Sequence, residues 1–425
     1  MKRTLSVLVL TLCMAAPVFS QVRMNGWGRA VWLPVFYDQK NEEWRSTVQS
    51  SYNDQPDFEF MFTAASTYIG VDVGVIVNTN DFSQIGNAKV WWRPAPDFRL
   101  HIGLGIVSTL RGKVEGSTGG YSYAMGRTTW AVDPNLKNEP FVGIFDGDGI
   151  FSRFNLSKMG AILEITPQIV PGLFIGAALA PEYMNKSGRS AEDVYKGIHA
   201  AIGYEIEDFG HLRLGWIGGG STDPAGKKGN ASQNWDFSWD RRVEAAFALT
   251  MIPGFLADIG FKYSLEKKPG ILDQPGFSLE NPLYLALGIK YTGIENFLLG
   301  FAADGHFAGK AQTNFIEDES GKVINTGDRI TSAPQIAFNI YPQYTFGNIL
   351  PFLGSGAFSA GADFTFGMQF GDEKGVNDKK MLGFGVYAHK QYSNGNIRFS
   401  VYANAPMNEG QNWGMSVPVW ITYSF

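Results

Sequence analysis

Five histidines stand in the chain, at His101, His199, His211, His306 and His389. Histidine beside carboxylates is the residue type for metal binding and proton relay, and with a nucleophile for acyl transfer. Acids lie in neighbouring stretches, among them Glu164, Glu205, Glu244, Asp258, Asp304 and Asp363. The histidines are scattered without ligand-like spacing, and no Ser/His/Asp constellation emerges. These residues predict no metal, no cofactor and no catalytic group. What they share is parity. Within their alternating stretches they fall on the polar side, together with Asp72, Lys89, Arg93, Arg99, Arg242 and Arg398. Polar side chains collect on one face of a strand when that face is wet and the other is not.

The elements that carry them have a period of two. Ile69, Val71, Val73, Val75 and Val77 alternate with Gly70, Asp72, Gly74, Ile76 and Asn78. Leu382, Phe384, Val386 and Ala388 alternate with Gly383, Gly385, Tyr387 and His389. Residues 413–425, WGMSVPVWITYSF, put Trp413, Met415, Val417, Val419, Ile421, Tyr423 and Phe425 on one face. Similar runs recur at 98–106, 283–290, 297–304 and 397–404. Each is about ten residues long, enough for a tilted strand to cross a bilayer. Short connections (94–97, 167–172, 205–208, 252–254, 292–295, 393–396) alternate with long polar ones (110–156, 184–194, 218–234, 266–280, 307–330, 371–379, 405–412). Aromatics flank the short connections, as in Trp92 and Phe98, Tyr204 and Phe209, Tyr291 and Phe297.

Lys2 and Arg3, an apolar run from Leu5 to Ala16, and Val18-Phe19-Ser20 read as a cleavable signal peptide over residues 1–20. Residues 21–425 are then one domain. The sole cysteine, Cys13, lies inside the signal, so disulfides and thiol chemistry are excluded from the remainder. No later apolar run reaches the length of a spanning helix, while 51 glycines and 14% aromatic residues suit strands. The formal charge of -5 becomes -7 once Lys2 and Arg3 are removed. With a pI near 5.6, this argues against a nucleic-acid partner.

The pattern predicts an all-β fold, a transmembrane antiparallel β-barrel of about eighteen strands with short periplasmic turns and long extracellular loops. If Val22–Phe36 or Phe58–Ala65 is irregular, sixteen is the fallback. A barrel of either size leaves a water-filled interior.

With these features in place the chain resembles bacterial general porins. The start, Asn25-Gly26-Trp27-Gly28-Arg29-Ala30, and Tyr68-Ile69-Gly70-Val71-Asp72 are similar to porin opening strands. Residues 87–113, NAKVWWRPAPDFRLHIGLGIVSTLRGK, resemble spirochaete outer-membrane porins. The Pro-Glu-Phe-Gly-Gly-like loop run of enterobacterial porins is absent, so their constriction geometry is not carried over.

The resemblance implies passage of small hydrophilic solutes through the outer membrane, with lipids and the barrel-assembly machinery as partners and a homotrimer as candidate assembly. It also implies that a closing strand ending on Tyr423 and Phe425 serves as the assembly signal, and that the long loop 110–156 folds inward. That loop carries Asp133, Glu139, Asp146 and Asp148. Facing the basic strip Lys89, Arg93 and Arg99, these acids would set a field across the pore. The ionisable residues phased to the polar parity balance at eight acids and eight bases, so the excess negative charge lies in loops and rims, which predicts a mild cation preference. Two alternatives remain: a substrate-specific channel for sugars or hydrophobic compounds, whose lumen-parity rings would stack on the solute, and a surface antigen or adhesin.

Overall fold

A computed structural model describes residues 21–38, 42–49, 57–77, 84–108, 154–179, 198–217, 242–264, 283–307, 312–317, 323–330, 335–369, 379–406 and 413–425. Residues 1–20, expected to be a signal peptide, and the loop acids Asp133, Glu139, Asp146 and Asp148 lie outside the described residues.

The alternating runs are strands. In chain order they are β1 (Gln21–Asp38), β2 (Glu43–Gln49), β3 (Asp57–Ala65), β4 (Ile69–Val77), β5 (Gln84–Ala95), β6 (Phe98–Ser108), β7 (Phe154–Ile165), β8 (Leu173–Leu179), β9 (His199–Ile206), β10 (Gly210–Ile217), β11 (Arg242–Ile252), β12 (Phe255–Ser264), β13 (Leu283–Tyr291), β14 (Phe297–Phe307), β15 (Gln312–Glu317), β16 (Val323–Ile330), β17 (Gln335–Thr345), β18 (Phe358–Gln369), β19 (Lys379–Tyr392), β20 (Gly395–Pro406), β21 (Gly414–Ser416) and β22 (Val419–Ser424). One 3-10 turn, Pro351–Leu353, interrupts the connection between β17 and β18. β15 and β16 form a separate hairpin inside the stretch that the sequence assigned to a long loop.

The other twenty strands form one antiparallel sheet that closes on itself, β22 pairing with β1 from Trp27↔Ser424 to Trp32↔Val419. The expectation of about eighteen strands is close but not exact. β2 and β3 both pair with β1, β2 along Val31–Asp38 and β3 along Gln21–Arg29. β21 and β22 both pair with β20 and β1. The single terminal strand expected over 413–425 is therefore broken. Pro418 cannot donate to the ladder there, although its carbonyl still accepts from the Ser400 amide. Two places in the wall thus hold two strands each, and the twenty strands occupy eighteen places around the ring.

Burial is inverted relative to a water-soluble protein. Ile102, Ile259 and Phe399 are each at least half exposed on the outer face, whereas Arg213, Glu244 and Asp363 are 2%, 4% and 0% exposed on the inner one. Outward apolar side chains meet lipid, and inward polar ones pack side by side along the wall. β1 departs from this rule. Val31, Leu33 and Phe36 lie on its inward parity, form a buried apolar cluster and pack against Trp420.

Inward aromatics settle over inward glycines. A Cβ added at Gly300 would fall 1.9 Å from the Tyr341 ring, at Gly361 2.5 Å from Tyr387, at Gly385 2.4 Å from Tyr402 and at Gly70 2.4 Å from Trp91. Each ring lies flat on the neighbouring strand because the glycine has no side chain to lift it. Replacing Gly385 by Leu should displace Tyr402 and destabilise the barrel by about 1–3 kcal/mol, the usual cost of overpacking. The check is a lower midpoint in heat-modifiability gels or urea unfolding of the reconstituted protein.

Candidate functional site

Among the described residues of the inward wall, two regions of clustered polar side chains stand out. The first spans β3 to β7. Asp72 sits directly across from Lys89 and from Thr63 in the ladder. Its carboxylate accepts from the Thr63 hydroxyl at 2.9 Å and lies 3.6 Å from the Lys89 ammonium. Glu164 of β7 sits across from Arg99 of β6, and its Oε2 is 3.0 Å from His101 Nε2 on the same strand as Arg99. Arg99 also stands over the Trp91 ring, its guanidinium carbon 5.5 Å from the centroid. Arg93 donates from Nη2 and Nε to the Pro96 carbonyl at 2.9 and 3.3 Å, which ties it to its own turn. The predicted basic strip is therefore interleaved with acids: Lys89 beside Asp72, Arg99 beside Glu164. Side by side in a wet lumen, such pairs each contribute about 0–1 kcal/mol. They leave the wall with both signs of charge.

Below this cluster, at the rim that carries the short turns, a cavity of about 600 Å³ is lined by Arg93, Arg99, Glu164, Glu205 and His211 and by the turn from Thr166 to Gly172. Among the described residues no group of three or more potential metal ligands converges.

The second cluster spans β17 to β20. The Arg398 guanidinium carbon lies 3.8 Å from the Tyr387 ring centroid, and the same side chain hydrogen-bonds the Tyr402 hydroxyl and Ser400 Oγ. The Tyr387 hydroxyl donates to Gln343 Oε1 at 3.1 Å, and His389 stacks beside the Tyr387 ring at 6.2 Å. One strand further round, the Asn339 amide donates to the Asp363 carboxylate, to Thr365 Oγ1 at 3.0 Å and to the Phe364 carbonyl at 3.1 Å. Asn339, Tyr341 and Gln343 went unassigned in the sequence reading. The signal was present: they alternate with Ile336, Phe338 and Ile340, and Pro342 masks the last step.

The other sequence candidates are placed apart. Arg242 opens β11, its backbone paired with Ser264 and Ile217. Tyr423 and Phe425 lie on the outer face with ring centroids 6.3 Å apart, and Phe425 reaches Phe60 of β3 at 5.8 Å. Phe425 and Gly26 exchange two backbone hydrogen bonds of 2.9 and 3.0 Å at the seam.

An inverted barrel with a charged inner wall and aromatics beside its short turns is stable only with lipid around it. The chain folds as a transmembrane β-barrel. No protein-family model matches it, and no curated protein does. Solved structures do. OccK10 (OpdN) of Pseudomonas aeruginosa superposes with a TM-score of 0.54 at 11% identity, over 95% of this chain and 99% of that one. OpdK of the same organism, solved with vanillate, gives 0.51 at 11% over 96% and 99%. OccAB4 of Acinetobacter baumannii gives 0.51 at 10% over 96% and 98%. At these identities the shared property is the barrel fold.

Changing Arg398 to Met keeps the length of the side chain and removes its charge. Loss of the cation–π contact and of the Tyr402 bond should lower stability by about 1–2 kcal/mol. Urea unfolding in liposomes, followed by heat-modifiability, measures it.

Proposed function

We propose that residues 21–425 form one barrel domain, exported behind a cleaved signal over 1–20, which works as a porin: a water-filled channel for passive diffusion of small hydrophilic solutes, with a mild cation preference. The observation that carries this reading is the inner wall. Between β4 and β7 its acids and bases sit side by side, Asp72 with Lys89 and Glu164 with His101 and Arg99, in a ring of eighteen places, a number that leaves an aqueous interior. Such a wall is wettable and has no strong preference for either sign. The net charge of -7 expected after signal removal supplies the bias toward cations. No residue has a catalytic role in this mechanism. The likeness of residues 87–113 to spirochaete porins and a homotrimeric assembly belong to the same proposal, and native mass measurement checks the latter. Phe425, joined to Gly26 and Phe60 at the seam, is proposed as the assembly signal.

A substrate-specific channel is the second reading, favoured by the Arg398–Tyr387–Tyr402 cluster. A cation set among rings on the lumen wall is chemistry for a flat, negatively charged solute, and the similarly folded OpdK was solved with vanillate.

Purified protein in a planar bilayer should give discrete conductance steps and reversal potentials with potassium over chloride above unity. Absence of conductance would overturn the channel reading. Asp72→Asn with Glu164→Gln should shift the reversal potential toward anions, and Lys89→Ala should shift it the other way. Asp146→Asn with Asp148→Asn should lower the cation preference if loop 110–156 enters the pore; an unchanged reversal potential would place those acids away from it. Liposome uptake of vanillate faster than of a neutral solute of equal size would favour the specific channel.

A further inference from the structure

The connection from Phe346 to Ala357 breaks the pattern of its rim. Its neighbours at that end are turns of a few residues, whereas this one has twelve and contains the 3-10 turn Pro351–Leu353. It carries no charged residue, and it exposes Ile349 and Leu353 by about half and Phe352 by 79%.

Its conformation is built. Gly347, Gly354 and Gly356 have φ values of 68°, 100° and 118°, a region that side chains rarely adopt. Backbone bonds Phe346 N to Phe358 O (2.8 Å) and Phe358 N to Gly347 O (2.6 Å) close its neck.

The loop is tied to the outer face of the barrel. Lys390 lies on the outward parity of β19, in line with Leu382, Phe384 and Val386, yet it is 3% exposed. Its ammonium donates to Asn348 Oδ1 at 2.5 Å and to the Gly356 carbonyl at 2.7 Å. Two residues on, the Tyr392 hydroxyl donates to the Leu353 carbonyl at 2.9 Å. Tyr344, Phe346 and Phe358 form an aromatic row at the neck, with centroids 4.9 and 6.0 Å apart. The turn Thr166–Gly172 also exposes an apolar tip at Ile169 and Val170, but Thr166, Pro167, Gln168, Pro171 and Gly172 around it line the lumen cavity. The 346–357 loop is fastened on the opposite side of the wall.

We propose that this loop is a membrane foot, lying in the headgroup–acyl boundary of the periplasmic leaflet with Ile349, Phe352 and Leu353 inserted among lipid. The argument for lipid as the occupant is continuity. The loop extends the lipid-facing belt of β17 to β19 without a charged residue between them, and it folds over Lys390 at its own end of that strand face, giving the ammonium protein acceptors so that it need not reach for water. Apolar side chains on a chargeless loop at this depth are what an interfacial anchor presents to a bilayer. The proposal is independent of which solute the barrel passes.

Cys13 is the only cysteine and precedes residue 21, so single-cysteine labelling is direct. Phe352→Cys, carrying an environment-sensitive fluorophore, is reconstituted from outer-membrane preparations into liposomes containing nitroxide-labelled lipid. Ile340→Cys on the outer face of β17 and Ser393→Cys in the turn before β20 are the lipid and water references. Expected is quenching by lipid nitroxide close to the Ile340→Cys value, strongest for a label about 5–10 Å below the headgroups, with little quenching by aqueous iodide. Iodide quenching at the Ser393→Cys level would overturn the proposal and place the loop in the periplasm. Protection from both quenchers would overturn it in favour of a protein contact, including a second copy of the chain. Adding Lys390→Met should move the label from lipid quenching toward iodide quenching in barrels that remain heat-modifiable. An unchanged pattern would remove Lys390 from the role of tether, and Ile349→Cys repeats the measurement should the first variant assemble poorly.

Discussion

Everything in this molecule depends on closing a sheet where water cannot reach its edges. In hydrocarbon each unpaired backbone amide or carbonyl costs several kcal/mol, so a spanning sheet must pair its first strand with its last. The seam does this between Trp27–Trp32 of β1 and Val419–Ser424 of β22, extended by the reciprocal bonds of Gly26 and Phe425. Both places where two strand pieces share one position in the wall border β1: β2 with β3, and β21 with β22 on either side of Val417-Pro418. With 18 residues, β1 is long enough to pair with all four strand pieces. It acts as a splint at both places, and Val417 keeps one bond to it through the Val35 carbonyl.

Closure then dictates the side chains. Once the outer face is given to lipid, polarity has only one place to go. The inner wall gathers Asp72, Lys89, Arg99, His101 and Glu164 at one part of the ring and Asn339, Asp363, Tyr387 and Arg398 at another. These groups are not held apart in open water. They lie along the wall, hydrogen-bonded to neighbours or stacked on rings, and the rings lie on glycines. A tyrosine laid flat on Gly385 takes up little of the lumen; the same ring standing upright would take up more.

How much of this was legible from the chain follows from range. The period of two is a local property, because successive side chains of a strand must point to opposite faces. The outward and inward sets on β4, β13, β19 and β20 could therefore be read directly, as could the turns beside Trp92 and Phe98. Strand β2, the break at Pro418 and the hairpin β15–β16 escaped: β2 and the hairpin are short and polar, and alternation continues across a proline without showing that the ladder has stopped. The apolar inward patch of Val31, Leu33 and Phe36 also escaped: a rule that assigns grease to lipid has no way to flag grease turned inward. Residues 346–357 carried a sign of their own, a chargeless run with three glycines, but nothing in it told which side of the wall it would be tied to.

The sequence by itself determined the strands, their two faces and the residue types available to the lumen. Only the tertiary structure decided which of them meet. His101 and Glu164 are 63 positions apart and Lys390 and Asn348 are 42 apart. Their contacts depend on register between strands, and a slip of one residue would turn His101, Glu164 or Lys390 to the other face. Register is fixed by the closed ring as a whole, because each ladder must agree with the next until β22 meets β1, and no local stretch of sequence carries that condition.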